Sequence, residues 1–126
     1  MNLTINIETI GIESIISYKI KPLRDYNKGG FYLIRNKINN KCYVGKSVDY
    51  MARLKQHTFK SSSKSDIDRA LNLGLHNFEY YILGKYKDIG ISYFNKKAET
   101  KIEHLLIEMF KSMQPNGYNN RYYGHL

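Results

Sequence analysis

Two glutamates break the pattern of an otherwise amphipathic segment. The spacing predicts a helix from about Lys96 to Ser112. On a wheel of about 100° per residue, Ala98, Ile102, Leu105, Leu106, Met109 and Phe110 share one broad side, with Ile107 at its margin. Lys101, His104, Glu108 and Lys111 fall opposite. Glu99 and Glu103 land inside the apolar arc, one turn apart. A carboxylate there must be paired, solvated in a cleft or bound to a metal, because an uncompensated buried charge is costly. Glu99 lies near the helix start, where the dipole favours negative charge. Glu103 is mid-helix and lacks that support. A second pair, Arg53 and His57, is four residues apart and so shares one face of a predicted helix. The planar guanidinium of Arg53 matches phosphate oxygens in a way a point charge does not. Gly45-Lys46-Ser47 looks like the end of a nucleotide-binding loop, but the earlier glycine is missing, so nucleotide binding is not expected.

These groups sit in a basic field. The chain has 126 residues and a net charge of +9, and residues 29–64 carry eight basic side chains against Asp49 alone. The segments on either side each have a net charge of +1. Richness in Lys, Ile and Asn follows from A/T-rich codons, which accounts for part of the lysine excess but not for its confinement. A concentrated positive field is the footprint of a polyanion partner. The length allows one domain and a short extension. The single cysteine, Cys42, excludes an intramolecular disulfide and a thiolate metal cluster. No run of 18 apolar residues exists, and the N-terminus does not read as a secretory signal. An intracellular, reducing compartment is expected.

The elements that must position these residues follow from the pattern. Residues 1–28 form an N-terminal extension, with a strand around Ile5, Ile7 and Thr9 or a short helix around Ile12–Ile16. Asn27-Lys28-Gly29-Gly30 is a loop, and the main domain is placed at residues 29–126. Phe31–Arg35 and Lys41–Val44 are β-rich runs around the turn formers Asn36–Asn40, which predicts a hairpin. Asp49 caps a helix over about Tyr50–Lys60. Residues 61–65 are a loop, Asp66–Leu73 a short helix, Phe78–Leu83 a central strand and Lys85–Ser92 a connector. Pro115 and Gly117 follow the last helix. Cys42 is expected to be a buried thiol facing away from Tyr43.

The hairpin carries Gly30-Phe31-Tyr32 and Tyr43-Val44-Gly45, with ten residues between the tyrosines. This resembles the GIY-YIG nuclease family, with Phe and Val each replacing an Ile. The resemblance continues through Arg53 and His57, includes Glu103 in a late helix, and ends at Gly117-Tyr118-Asn119. It covers about Gly29–Asn120. The nuclease module of intron-encoded homing endonucleases is similar. The resemblance implies an α+β fold, a small three-stranded antiparallel sheet flanked by helices. It implies a divalent-metal-dependent DNA endonuclease hydrolysing phosphodiester bonds.

Under that resemblance Glu103 is the metal ligand, for Mg²⁺ with Mn²⁺ as substitute. Magnesium keeps several waters, so one carboxylate plus DNA phosphate suffices. Tyr32 serves as general base or water-orienting hydroxyl, although a phenol of pKa near 10 needs help from its surroundings. Tyr43 orients the water or holds a phosphate oxygen, and either tyrosine could take the proton. Arg53 contacts the phosphate, His57 hydrogen-bonds or relays a proton from Tyr32, and Asn119 fastens the tail by bonding to backbone or phosphate. Lys41, Lys46, Lys55, Lys60 and Lys64 are expected phosphate contacts, and Gly45 permits close approach of backbone to DNA. The partner is double-stranded or branched DNA, with room for a separate specificity partner and none for a membrane. A homing or mobile-element role leads. A stand-alone repair or restriction nuclease shares the chemistry, and a non-catalytic nucleic-acid-binding module is the alternative from another class.

Overall fold

A computed structural model describes residues 7–11, 29–59, 66–72, 74–89 and 96–120. The hairpin forms as expected from β2 (Gly30–Asn36) and β3 (Cys42–Ser47), with β1 (Glu8–Ile10) preceding it. Asparagines build its turn. Asn36 Oδ1 accepts the Ile38 amide and Asn39 Oδ1 the Lys41 amide, and Asn40 adopts a φ of 63°, which its short polar side chain tolerates. Helix α1 (Tyr50–Phe59) starts on Asp49, whose Oδ1 accepts the Ala52 amide at 3.1 Å. Then come α2 (Asp66–Asn72), a 3₁₀ turn (Leu75–Asn77), β4 (Phe78–Lys85), α3 (Tyr86–Ile89) and α4 (Lys96–Met109). Residues 60–65, with the expected loop and with Lys60 and Lys64, lie outside the described residues.

The sheet has four strands, not three, in the order β1-β4-β2-β3, all antiparallel. The added strand comes from the N-terminal segment. It pairs Glu8–Ile10 with Tyr80–Ile82, and Ile10 packs on the apolar cluster beneath. An apolar strand such as β4 would otherwise present an unpaired rim to water. The alternative helix at Ile12–Ile16 lies outside the described residues.

Strand alternation sorts the core into two clusters. Tyr32, Ile34, Tyr43, Phe78, Tyr80 and Ile82 pack with Tyr50 and Leu54 of α1 and Ile67 and Leu71 of α2. Phe31, Leu33, Cys42, Val44 and Leu83 pack on the other face with Tyr86 of α3 and Ile102, Leu106 and Ile107 of α4. The molecule is therefore layered helix–sheet–helix, with β3 as one outer strand. A β-bulge interrupts the β2–β4 ladder beside Tyr32. Phe31 pairs with Gly84 but Tyr32 with Ile82, so β4 carries one extra residue. Bulges of this kind re-aim neighbouring side chains.

Helix α4 differs in two ways from its wheel. The buried stripe is Glu99, Ile102, Glu103, Leu106 and Ile107. Leu105 and Met109, expected on the apolar side, are 48% and 61% exposed. Ile107, expected at the margin, is fully buried, because α4 meets the sheet through Ile102, Leu106 and Ile107. The two carboxylates therefore belong to the packed face, Glu99 at its N-terminal end and Glu103 beside Ile102. The helix also stops early. Lys111 takes a left-handed φ of 51°, its amide reaches Glu108 O at 3.2 Å and the Ser112 amide reaches Ile107 O at 3.0 Å. That is a Schellman termination without glycine.

Candidate active site

Tyr32 projects from β2 to the α1 side of the sheet. The third turn of α1 brings His57 to meet it, and the Tyr32 hydroxyl and His57 Nε2 share a buried hydrogen bond of 2.8 Å. Tyr43, the next strand's residue on that face, packs edge-on to His57 with ring centroids 5.4 Å apart. The two tyrosine rings are 6.3 Å apart. Gly45 pairs directly with Tyr32. A Cβ at Gly45 would lie 2.3 Å from Tyr32 Cζ and 2.4 Å from its hydroxyl oxygen. The glycine therefore makes room for the Tyr32 phenol itself, a closer reason for its presence than the approach of DNA. Arg53, one turn before His57, stays exposed and donates to Gln56 Oε1 at 3.0 Å.

The other half of the site hangs from the opposite face. Lys46 follows Gly45 and so points toward α4. Its Nζ lies 3.2 Å from Glu99 Oε1 and 3.3 Å from Glu103 Oε1. Lys46, expected on a phosphate, thus pairs with both buried carboxylates. The pairing to Glu103 is off-axis, since Oε1 has no donor in hydrogen-bond geometry despite its burial. Burial pushes the Glu103 carboxyl above the usual carboxylate range, against the pull of Lys46. Glu99 also lies 3.6 Å from Lys96 Nζ. Its carboxylate accepts a hydrogen bond from Tyr86, and burial followed by that bond drives the Tyr86 phenol far above its ordinary pKa. Tyr86 thus remains a neutral donor.

The two halves meet at the rim of the sheet, where β3 is outermost. One cavity of about 200 Å³ is lined by Tyr32, Tyr43, Gly45, Lys46, Arg53 and Glu103. Two phenols, a guanidinium and a carboxylate therefore open onto a shared basic cleft. Asn119 seals β3 from outside. Its Oδ1 accepts the Val44 amide and its Nδ2 donates to the Val44 carbonyl, each at 2.9 Å. Both amide atoms thus bond to backbone, and the side chain is buried.

The GIY-YIG catalytic domain matches residues 28–119. The chain belongs to the GIY-YIG family. Two solved structures are similar to it. The catalytic domain of homing endonuclease I-TevI is 33% identical, with a TM-score of 0.61, covering 75% of this chain and 99% of that one. A mutant of the catalytic domain of the intron endonuclease I-TevI is 31% identical, with a TM-score of 0.63, covering 79% and 99%. No curated protein matches the chain.

Within this GIY-YIG fold, the structure brings together Tyr32, Tyr43, His57, Arg53, Gly45, Lys46 and Glu103. It does not bring in Lys41. That residue lines a separate cavity of about 640 Å³ at the turn end of the hairpin, with Asn36, Arg69, Phe78, Gln114 and Tyr118. Lys55 is half-exposed on α1. Two residues at the site, Glu99 and Tyr86, are given no role by the sequence. Glu99 is visible there as an anomaly, but its helix position accounts for it, and only its contact with Lys46 ties it to the cleft. Tyr86 gives no signal, because its approach to Glu99 depends on how β4 turns into α3. Among the described residues, no three His, Cys, Asp or Glu side chains form a metal cluster, and no helix is long and apolar enough to cross a membrane.

Proposed function

We propose that this GIY-YIG protein is a divalent-metal-dependent DNA endonuclease that hydrolyses phosphodiester bonds, of the homing or mobile-element type. The observation that carries the reading is the cleft shared by Tyr32, Tyr43, Arg53 and Glu103. The homing assignment rests on the likeness to an intron endonuclease's catalytic domain along nearly its whole length.

The chain's residues divide the work by position. Arg53, exposed at the cleft edge, presents a planar fork to the scissile phosphate and offsets the charge that builds in the transition state. The Tyr32 hydroxyl accepts the proton of an attacking water while His57 Nε2 draws off the phenol's own proton. That relay lets a group of high intrinsic pKa act near neutrality. Tyr43 packs on His57 and lines the cleft, which suits it to orient the water. Glu103 Oε1 is a buried carboxylate oxygen without an aligned donor, on the wall of the shared cleft. Those features fit a hard divalent ion such as Mg²⁺, or Mn²⁺ in its place, completed by water and phosphate oxygens. When bound, the ion would neutralise phosphoryl oxygens and stabilise the leaving 3′ oxygen. Gly45 and Asn119 hold the frame. The charge of Lys41, Lys55, Lys60 and Lys64 suits a double-stranded or branched DNA partner, bound through its phosphates without reading its sequence.

Supercoiled plasmid and branched DNA, incubated with Mg²⁺ or with EDTA, test the reading beside Glu103→Ala. Mg²⁺-dependent cleavage by the parent chain is expected, with cleavage lost and DNA binding retained in the variant. Equal cleavage by the two proteins removes Glu103 from the chemistry. Binding without cleavage by either makes the chain a nucleic-acid-binding module.

A further inference from the structure

Lys46 is shared unequally between its two carboxylates. Glu99 receives it at 3.2 Å and also has Lys96 at 3.6 Å and the Tyr86 hydroxyl. Glu103 receives it at 3.3 Å, off-axis, on an oxygen without an aligned donor. Both carboxylates are almost completely buried, and Lys46 is the ammonium that spans them. A divalent ion on Glu103 Oε1 and an ammonium at its present distance from that oxygen would repel each other in a site where water screens weakly. A second carboxylate at nearly equal distance offers the ammonium a place to withdraw to without losing its ion pair.

We infer that Glu99 is a positioning residue. It holds Lys46 off Glu103, and Lys46 competes with the divalent ion for Glu103 Oε1. The inference rests on the metal role proposed for Glu103. Lys46 acts as an internal counter-ion that neutralises the paired carboxylates before the ion arrives. Glu99 sets the cost of displacing it. Glu99 therefore governs ion affinity through Lys46 and not by touching the ion.

A double-mutant cycle separates this from direct coordination and from a simple change of charge. Mn²⁺ binding to the metal-stripped full chain is measured by the electron paramagnetic resonance signal of free Mn²⁺. Glu103→Gln serves as the control, and thermal melts verify folding. Glu99→Gln is expected to weaken binding roughly tenfold, since Lys46 is then left to Glu103 alone. Lys46→Met is expected to tighten binding several-fold. In the Lys46→Met background, the loss caused by Glu99→Gln is expected to be several-fold smaller than in the parent chain, because its target is gone. An undiminished loss in that background overturns the inference, since Glu99 would then act on the ion directly. Should Glu99→Gln fail to fold, Glu99→Asp keeps the charge but withdraws it by one methylene, and the same coupling is expected. Binding that survives Glu103→Gln defeats the metal role itself. Binding abolished by Glu103→Gln without coupling between Glu99 and Lys46 defeats only this inference.

Discussion

Tyr32 and Gly45 are fitted to each other at the level of single atoms. The phenol lies where a Cβ on the facing strand would be, and its hydroxyl reaches His57 from that position. Gly45→Ala must therefore displace the ring or the strand and disturb the Tyr32–His57 bond. Misplacement by about 1 Å at a reacting group costs on the order of 10²-fold in rate, and overpacking costs about 1–3 kcal/mol. Single-turnover cleavage and urea unfolding of the variant check both, and a wild-type rate would show that the Tyr32–His57 geometry is dispensable. Glu103 gives a prediction of opposite sign for stability. Its carboxyl is held high by burial, so the folded chain binds that proton more tightly than the unfolded chain does. Stability then falls as pH rises from the unfolded carboxylate value, about 4.3, through the elevated folded value, and is flat above it. In EDTA at neutral pH, Glu103→Gln is expected to need more urea to unfold than the parent. The difference should shrink as pH is lowered through that window, and a variant less stable at neutral pH contradicts it. The anomaly of Glu103 is readable from helical spacing alone. Its raised affinity for the proton is not, because that depends on how the sheet covers α4.

At the scale of elements, β3 carries the site and the C-terminal tail holds β3. The Asn119 side chain bonds both backbone groups of Val44, and the Tyr118 amide donates to the Cys42 carbonyl at 2.9 Å. Asn119→Ala leaves the buried Val44 backbone groups unsatisfied and is expected to cost about 1–3 kcal/mol. Val44 amide exchange should accelerate, and cleavage should fall with it. Unchanged exchange at Val44 would mean that the clip is incidental. The hairpin and its turn, the Asp49 cap and α1 through Phe59 are legible in the sequence, because local propensity and contacts agree there. The start of α4 is legible, but its rotation is not. Leu105 and Met109 are as hydrophobic as Leu106 and Ile107, and only the neighbouring strands decide which pair faces inward. The end of α4 is hidden because Lys111 adopts a conformation normally left to glycine or asparagine.

At the scale of the molecule, the site straddles the sheet. The phenols and His57 belong to the side beneath α1, whereas Glu103 rises from the helix over the other face. The two cores should therefore control different parts of the activity. Leu54→Ala and Leu106→Ala, both at fully packed positions, are each expected to cost about 2–5 kcal/mol. Leu54→Ala loosens Arg53 and His57 and should lower cleavage while Mn²⁺ affinity is kept. Leu106→Ala, close to one turn beyond Glu103 on the buried stripe of α4, should weaken Mn²⁺ affinity as well. Equal effects on both readouts would show that the faces do not act separately. The fourth strand cannot be read with the right register, because a three-residue strand leaves little periodicity and β1 forms only against β4.

The tail beside β3 has one more consequence. The outer rim of a sheet is a template on which another chain can add a strand. Here the Cys42 carbonyl and both backbone groups of Val44, which could recruit such a strand, are already taken by Tyr118 and Asn119. The clip that steadies the cleft therefore also blocks edge-to-edge self-association, so loosening it would favour chains sticking to one another along the very strand that builds the active site.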